Sequence, residues 1–163
     1  MLTQPRIIER QAQPYAAVRT SLTIPFGEAI PGALGKLFQT LESKGIEPRG
    51  PVFFKYNFIN MPELEIDFSV PVATNGPIGG GVVTGVLPAG RYAEVTYTGH
   101  YDGLIDANAA LIGWARDNGI RWDAIETPEG DTFVARLETY LNGPDDEPDP
   151  GKWETIVQIK IRE

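Results

Sequence analysis

The stretches Pro14-Tyr15-Ala16-Ala17-Val18-Arg19-Thr20 and Arg91-Tyr92-Ala93-Glu94-Val95-Thr96-Tyr97 say nearly the same thing twice, and that recurrence decides the fold. From the first of them to Ile24, the residues Ala16, Val18, Leu22 and Ile24 alternate with Arg19, Ser21 and Thr23, the period-two pattern of a half-buried strand. Each opening leads into a helical stretch that stops at a Gly-Ile step, Gly45-Ile46 or Gly119-Ile120, and then into two more strands. Such a glycine takes the left-handed position that ends a helix, and the isoleucine folds back on the last turn. Two β-α-β-β units predict an α+β fold with an antiparallel sheet, a pseudo-twofold axis and a groove between the repeats. Neither unit can cover its sheet alone, so residues 1–163 are expected to pack as one domain.

Working outward, residues 6–11 read as a lead strand for repeat one, which spans residues 6–75. Pro31 suits the first turn of a helix, and Ile30, Leu34, Leu37, Phe38 and Leu41 recur at helical spacing. Residues 52–58 are β-prone through their aromatics. Leu64, Ile66, Phe68, Val70 and Val72 alternate with Glu63, Glu65, Asp67 and Ser69, which predicts one buried and one wet face. The Gly/Pro-rich residues 75–81 are the linker. Repeat two, residues 82–163, has a lead strand at 82–87, a strand at 92–98 and closing strands at 133–141 and 153–161. Its helix, residues 101–118, carries Leu104, Ile105, Asn108, Leu111, Ile112 and Ala115 at three-to-four spacing. Residues 142–151 read as a solvated loop. Two four-stranded sheets or sheet halves are expected.

Composition narrows the function. Apolar content of 42% and charged content of 22% are ordinary for a soluble globular protein. A net charge of -8 disfavours phosphate backbones and anionic lipid, and mildly attracts cations. The chain has no cysteine and one histidine, which excludes disulfides, thiolate sites and His-rich zinc sites. No metal, cofactor, nucleic acid or membrane contact is expected. No apolar run approaches a membrane span, so a cytoplasmic location is the default expectation.

Glu138 is the acid that stands out, in mid-strand between Leu137 and Thr139 and on the face of Val134, Arg136 and Tyr140. A carboxylate inside a sheet is costly unless it is paired or faces a cavity. Pattern alone leaves two readings open, an ion pair with Arg136 or a ligand-facing acid. Tyr56 and Tyr140 hold equivalent places in the two repeats, each two residues after Phe54 or Glu138. The duplication thus exchanges an aromatic for an acid and gives the groove a polar end. Trp114, Phe133 and Trp153 fit core positions or groove walls. His100, beside Tyr101 at a helix start, has no ligand-spaced neighbours and reads as structural. The acidic residues of loop 142–151 lack calcium-loop spacing, and Gly79-Gly80-Gly81 lacks the context of a phosphate loop.

The run Leu87-Pro88-Ala89-Gly90-Arg91-Tyr92-Ala93, then Gly99-His100-Tyr101-Asp102-Gly103-Leu104, Trp114, and Glu138-Thr139-Tyr140 with Pro144 resembles the GyrI-like effector-binding family. Gly45-Ile46-Glu47-Pro48-Arg49-Gly50-Pro51 with Tyr56 matches it in the first half. The resemblance implies a duplicated β-α-β-β fold whose inter-repeat groove takes small molecules and is lined by the matching glutamate. Members include sensor domains of AraC-type and MerR-type regulators, stand-alone proteins, a gyrase-inhibitory protein and hydrolases of cyclopropane-bearing alkylators. One departure is that the family often has a histidine where this chain has Tyr97.

The resulting expectation is a stand-alone sensor or sequestering protein for amphipathic, cationic or aromatic compounds. Glu138 supplies charge, and Tyr56, Tyr140, Tyr101, Phe54, Trp114 and Trp153 supply walls. The alternative enzyme would use Glu138 as general base and Tyr140 as acid to open a strained ring. A third alternative is a protein partner, which calls for an exposed apolar patch.

Overall fold

The two openings become the long inner strands β2 (Gln13–Thr23) and β6 (Gly90–Thr98), in a computed structural model that describes residues 1–163. Around them run β1 (Arg6–Arg10), α1 (Ile30–Ser43), β3 (Phe53–Asn60), β4 (Glu63–Pro71) and β5 (Val83–Leu87). The second half continues with α2 (Leu104–Asp117), β7 (Ala124–Thr127), β8 (Gly130–Phe133), β9 (Arg136–Tyr140) and β10 (Glu154–Lys160). Both helices end as their sequences require. Gly45 and Gly119 have φ of 67° and 68°, and the Ile46 and Ile120 amides donate back to Leu41 and Ala115 at 2.9 Å each. No helix is long and apolar enough to cross a membrane.

All pairings are antiparallel, in the order β1-β6-β10-β9-β3-β4-β2-β5, with the β7–β8 hairpin attached to β3. Two four-stranded halves therefore join edge to edge at β3–β9 into one curled sheet. Phe54 pairs directly with Glu138 across that seam. These two positions are equivalent in the repeats, so the pseudo-twofold axis passes between them. The lead strands are exchanged, which the sequence pattern did not predict: β1 pairs with β6 and β5 with β2. Side chains secure the exchange, with Arg6 Nε donating to Glu94 at 2.8 Å and Arg10 to Gln158 at 2.6 Å.

One face of the sheet receives the helices. Leu37 and Leu41 of α1 pack with Ile66, Phe68 and Val70, while Leu111 of α2 packs with Val95, Val157 and Ile159. The polar face of β4 was expected to be wet, and it is so at Glu63 and in part at Glu65 but not beyond them. Inside the curl Tyr15, Ala17, Phe53, Leu87, Tyr92 and Leu137 form a third cluster, and Asp67 and Ser69 are both 0% exposed. Asp67 lies between Arg19 and Lys55 on its two neighbouring strands and accepts both Arg19 bonds, at 2.8 and 3.0 Å. Burial lowers the pKa of Lys55, whose ammonium donates to Asn57 at 2.5 Å.

Two further expectations are corrected. Residues 133–141 are not one strand, because the chain leaves β8 at Phe133 and re-enters the sheet as β9 at Arg136. Ile105 is 80% exposed, and the inward face of α2 is Leu104, Ala107, Leu111 and Ala115.

Candidate functional site

At the pseudo-twofold axis the helix side of the sheet holds Phe54 from one repeat and Glu138 from the other. Alternation along β3 and β9 puts Tyr56 and Tyr140 on the same side, and both phenols converge on the acid. Glu138 Oε1 accepts from Tyr56 at 2.7 Å and from Tyr140 at 2.7 Å. Its Oε2 accepts from Asn108 Nδ2 at 3.0 Å, which α2 lowers onto the sheet. Glu138 is only 7% exposed. Charge-assisted bonds from three donors offset much of its desolvation cost.

No ion pair joins Glu138 to Arg136, so the simple-pair reading fails. Arg136 instead donates to Asn108 Oδ1 at 3.3 Å and lies over the Phe133 ring at 4.9 Å. Burial lowers the pKa of Arg136, against the pull of Glu138. Burial, and then the charge of Glu138, holds the Tyr56 phenol well above the usual 10.0. Tyr140 is raised likewise by burial, reinforced by Tyr56 and Glu138. Both tyrosines are therefore neutral hydrogen-bond donors.

An aromatic chain runs outward from the acid. The Phe54 and Tyr140 rings meet edge to face at 4.7 Å, and Tyr140 and Tyr101 at 5.6 Å. Tyr101 then stacks on Trp153 at 4.5 Å. The loop after β9 fixes this pair: the carbonyl of Asn142 accepts the Tyr101 hydroxyl at 3.4 Å, and that of Glu147 accepts Trp153 Nε1 at 2.8 Å. Trp114 is not part of the chain and packs against the core under α2. His100 caps the turn before α2, its Nδ1 accepting from the Asp102 amide at 3.1 Å. Asn108 was missed as a site residue. Its signal was a polar side chain four residues after Leu104 and three before Leu111, on an otherwise apolar face.

Fold and geometry together define a duplicated α+β domain with one buried, unpaired carboxylate on its pseudo-twofold axis. The family model described as the GyrI-like small molecule binding domain matches residues 3–162, and the chain belongs to that family. Among solved structures, the EcmrR C-terminal domain superposes with a TM-score of 0.77 at 21% identity, over 98% of each chain. EcmrR in its complex with DNA gives a TM-score of 0.82 at 21% identity over 98% of this chain. This chain spans only 57% of the length of that one. SAV2435 bound to tetraphenylphosphonium gives a TM-score of 0.65 at 8% identity, covering 98% of this chain and 94% of that one. At such identities the likeness is one of fold. A search of curated proteins found no match.

Proposed function

We propose that this GyrI-like domain is a sensor or sequestering receptor for amphipathic organic cations. Glu138 is the charge anchor, and Tyr56, Tyr140, Tyr101, Phe54 and Trp153 form the walls. The observation that carries this reading is a buried carboxylate held by three neutral donors with no cation in direct contact, since Arg136 reaches it only through Asn108. A ligand cation supplies the direct contact that Arg136 does not make, and each ring face adds about 0.5–2 kcal/mol through cation–π attraction. The fold neighbour bound to tetraphenylphosphonium, an aromatic cation, is consistent with this ligand class.

Because Glu138 is 7% exposed, a ligand reaches it by displacing a wall. Tyr101 is the weakest-held wall, since its 3.4 Å hydroxyl bond lies beyond the usual O–H···O range. Hydrolysis fits the geometry less well. Three of the four carboxylate lone pairs already accept hydrogen bonds, and a tyrosine held well above 10.0 is a poor general acid near neutrality.

Calorimetric titration with tetraphenylphosphonium tests the reading. Wild type is expected to bind in the micromolar range, and Glu138→Gln at least tenfold more weakly, about 1.4 kcal/mol. Equal affinity in the two proteins overturns it.

A further inference from the structure

The pseudo-twofold axis also relates two hollows, one at the C-terminal end of each helix. Gly45, Ile46 and Glu47 follow α1 and, with Val72 and Ala73, line a hollow of about 300 Å³. Gly119, Ile120 and Arg121 follow α2 and, with Arg162, line one of about 910 Å³. Glu47 and Arg121 are equivalent, each two residues after the cap glycine. Ala73 and Arg162 are equivalent too, because Pro71 opposite Tyr15 matches Lys160 opposite Tyr92. In the second repeat an acid has become a cation, an alanine has become a second cation, and the hollow is larger.

Its chemistry is unlike the rest of the surface. Arg116, Arg121 and Arg162 face a single carboxylate, Glu126, in a chain whose net charge is -8. None of the three arginines forms an ion pair. Arg162 donates to the Ala124 carbonyl at 2.5 Å, which fixes the guanidinium and leaves its charge unmatched. The partial negative charge of a helix end explains Arg116, in the last turn of α2, but falls off too quickly to explain the other two. Beside the cations lie Ile120, Trp122 and Ile125, and Ile125 is 69% exposed.

We infer that this hollow is a second binding site, one for an amphipathic organic anion. Planar guanidinium forks suit a carboxylate, sulfonate or phosphate head. The Trp122 and isoleucine surface takes the hydrocarbon or aromatic body. The site is separate from the Glu138 groove, so the same domain would read ligands of opposite charge at two places.

The test is calorimetric titration with dodecanoate below its micelle concentration. The Arg121→Glu/Arg162→Ala variant installs the residues that repeat one carries at these positions. Dodecanoate is expected to bind wild type saturably, at least tenfold more weakly to the double variant, and unchanged to Glu138→Gln. Dodecyltrimethylammonium binding is expected to be no weaker in the double variant. Arg121→Glu alone, which leaves the Arg162 bond to Ala124 intact, keeps the test available if the double variant does not fold. Equal dodecanoate affinity in wild type and the arginine variants, or no saturation by wild type, overturns the inference.

Discussion

Two buried acids, Asp67 of repeat one and Glu138 of repeat two, lie on opposite faces of one sheet and have different company. In repeat one, Asp67 sits inside the curl with Arg19 and Lys55 on its neighbouring strands. The equivalent position in repeat two is Ile156, flanked by Thr96 and Thr139. On the helix side the assignment reverses, with Phe54 in repeat one and Glu138 in repeat two. Asp67 has its cations supplied by the fold, whereas Glu138 has only neutral donors. A buried acid matched from within reads as structure, and a buried acid left unmatched reads as an invitation to a ligand. Duplication supplies the geometry, and a single exchange at the axis supplies the chemistry.

The comparison breaks most visibly at Asp67. Asp67→Ala breaks the buried pair with Arg19 and weakens the negative field around the buried Lys55, and is expected to cost about 3 kcal/mol or more in urea unfolding. A loss below about 1 kcal/mol would mean that this charge cluster is not structural. Asn108→Leu acts on the other acid by removing the 3.0 Å bond to Glu138 and the bridge to Arg136. A hydrogen bond to a charged group is worth about 1.5–3 kcal/mol, so stability in urea unfolding is expected to fall by about that much. An unchanged midpoint would show that Asn108 does not hold the Glu138 carboxylate.

The tyrosines around Glu138 give a pH test. Tyr56 and Tyr140 are raised well above 10.0 in the fold, and Tyr15 and Tyr92 to about 12. Their contribution to stability is fully present below 10.0 and is lost as the pH rises toward the folded values, because only the unfolded chain ionises there. Stability is therefore expected to fall above that pH, and less steeply in Tyr56→Phe/Tyr140→Phe. An unaltered slope in that variant would show that these phenols are not shifted. The smallest effect lies on α2. Ile105→Lys is expected to change stability by no more than about 0.5 kcal/mol, whereas Leu111→Ala costs about 2–5 kcal/mol. A large loss at Ile105 would put the helix in a different rotation.

Much of the fold was legible because it is written in local periodicity. The alternation of β2 and β4, the three-to-four spacing of both helices and the Gly-Ile caps each specify an element without outside help. The exchange of β1 and β5 was not legible, since a strand's pattern gives its buried face but not the strand that pairs with it. The polar side of β4 misled for a related reason: the sheet curls and makes that side a second interior. The short β7 and β8, with Ile125 and Glu126 exposed, offered no alternation to read. At the site, the repeat equivalence already sets Glu138, Tyr56 and Tyr140 at matching places on β3 and β9, and the two phenols meet the acid there. Asn108 depended on the rotation of α2, which the exposed Ile105 had obscured.

The most direct test of Glu138 as the anchor is a crystal structure of the complex with tetraphenylphosphonium. The predicted result places the cation against the Glu138 carboxylate, with the Tyr101 ring moved from its stack on Trp153. A cation bound elsewhere, with Glu138 still enclosed by Tyr56, Tyr140 and Asn108, would contradict it.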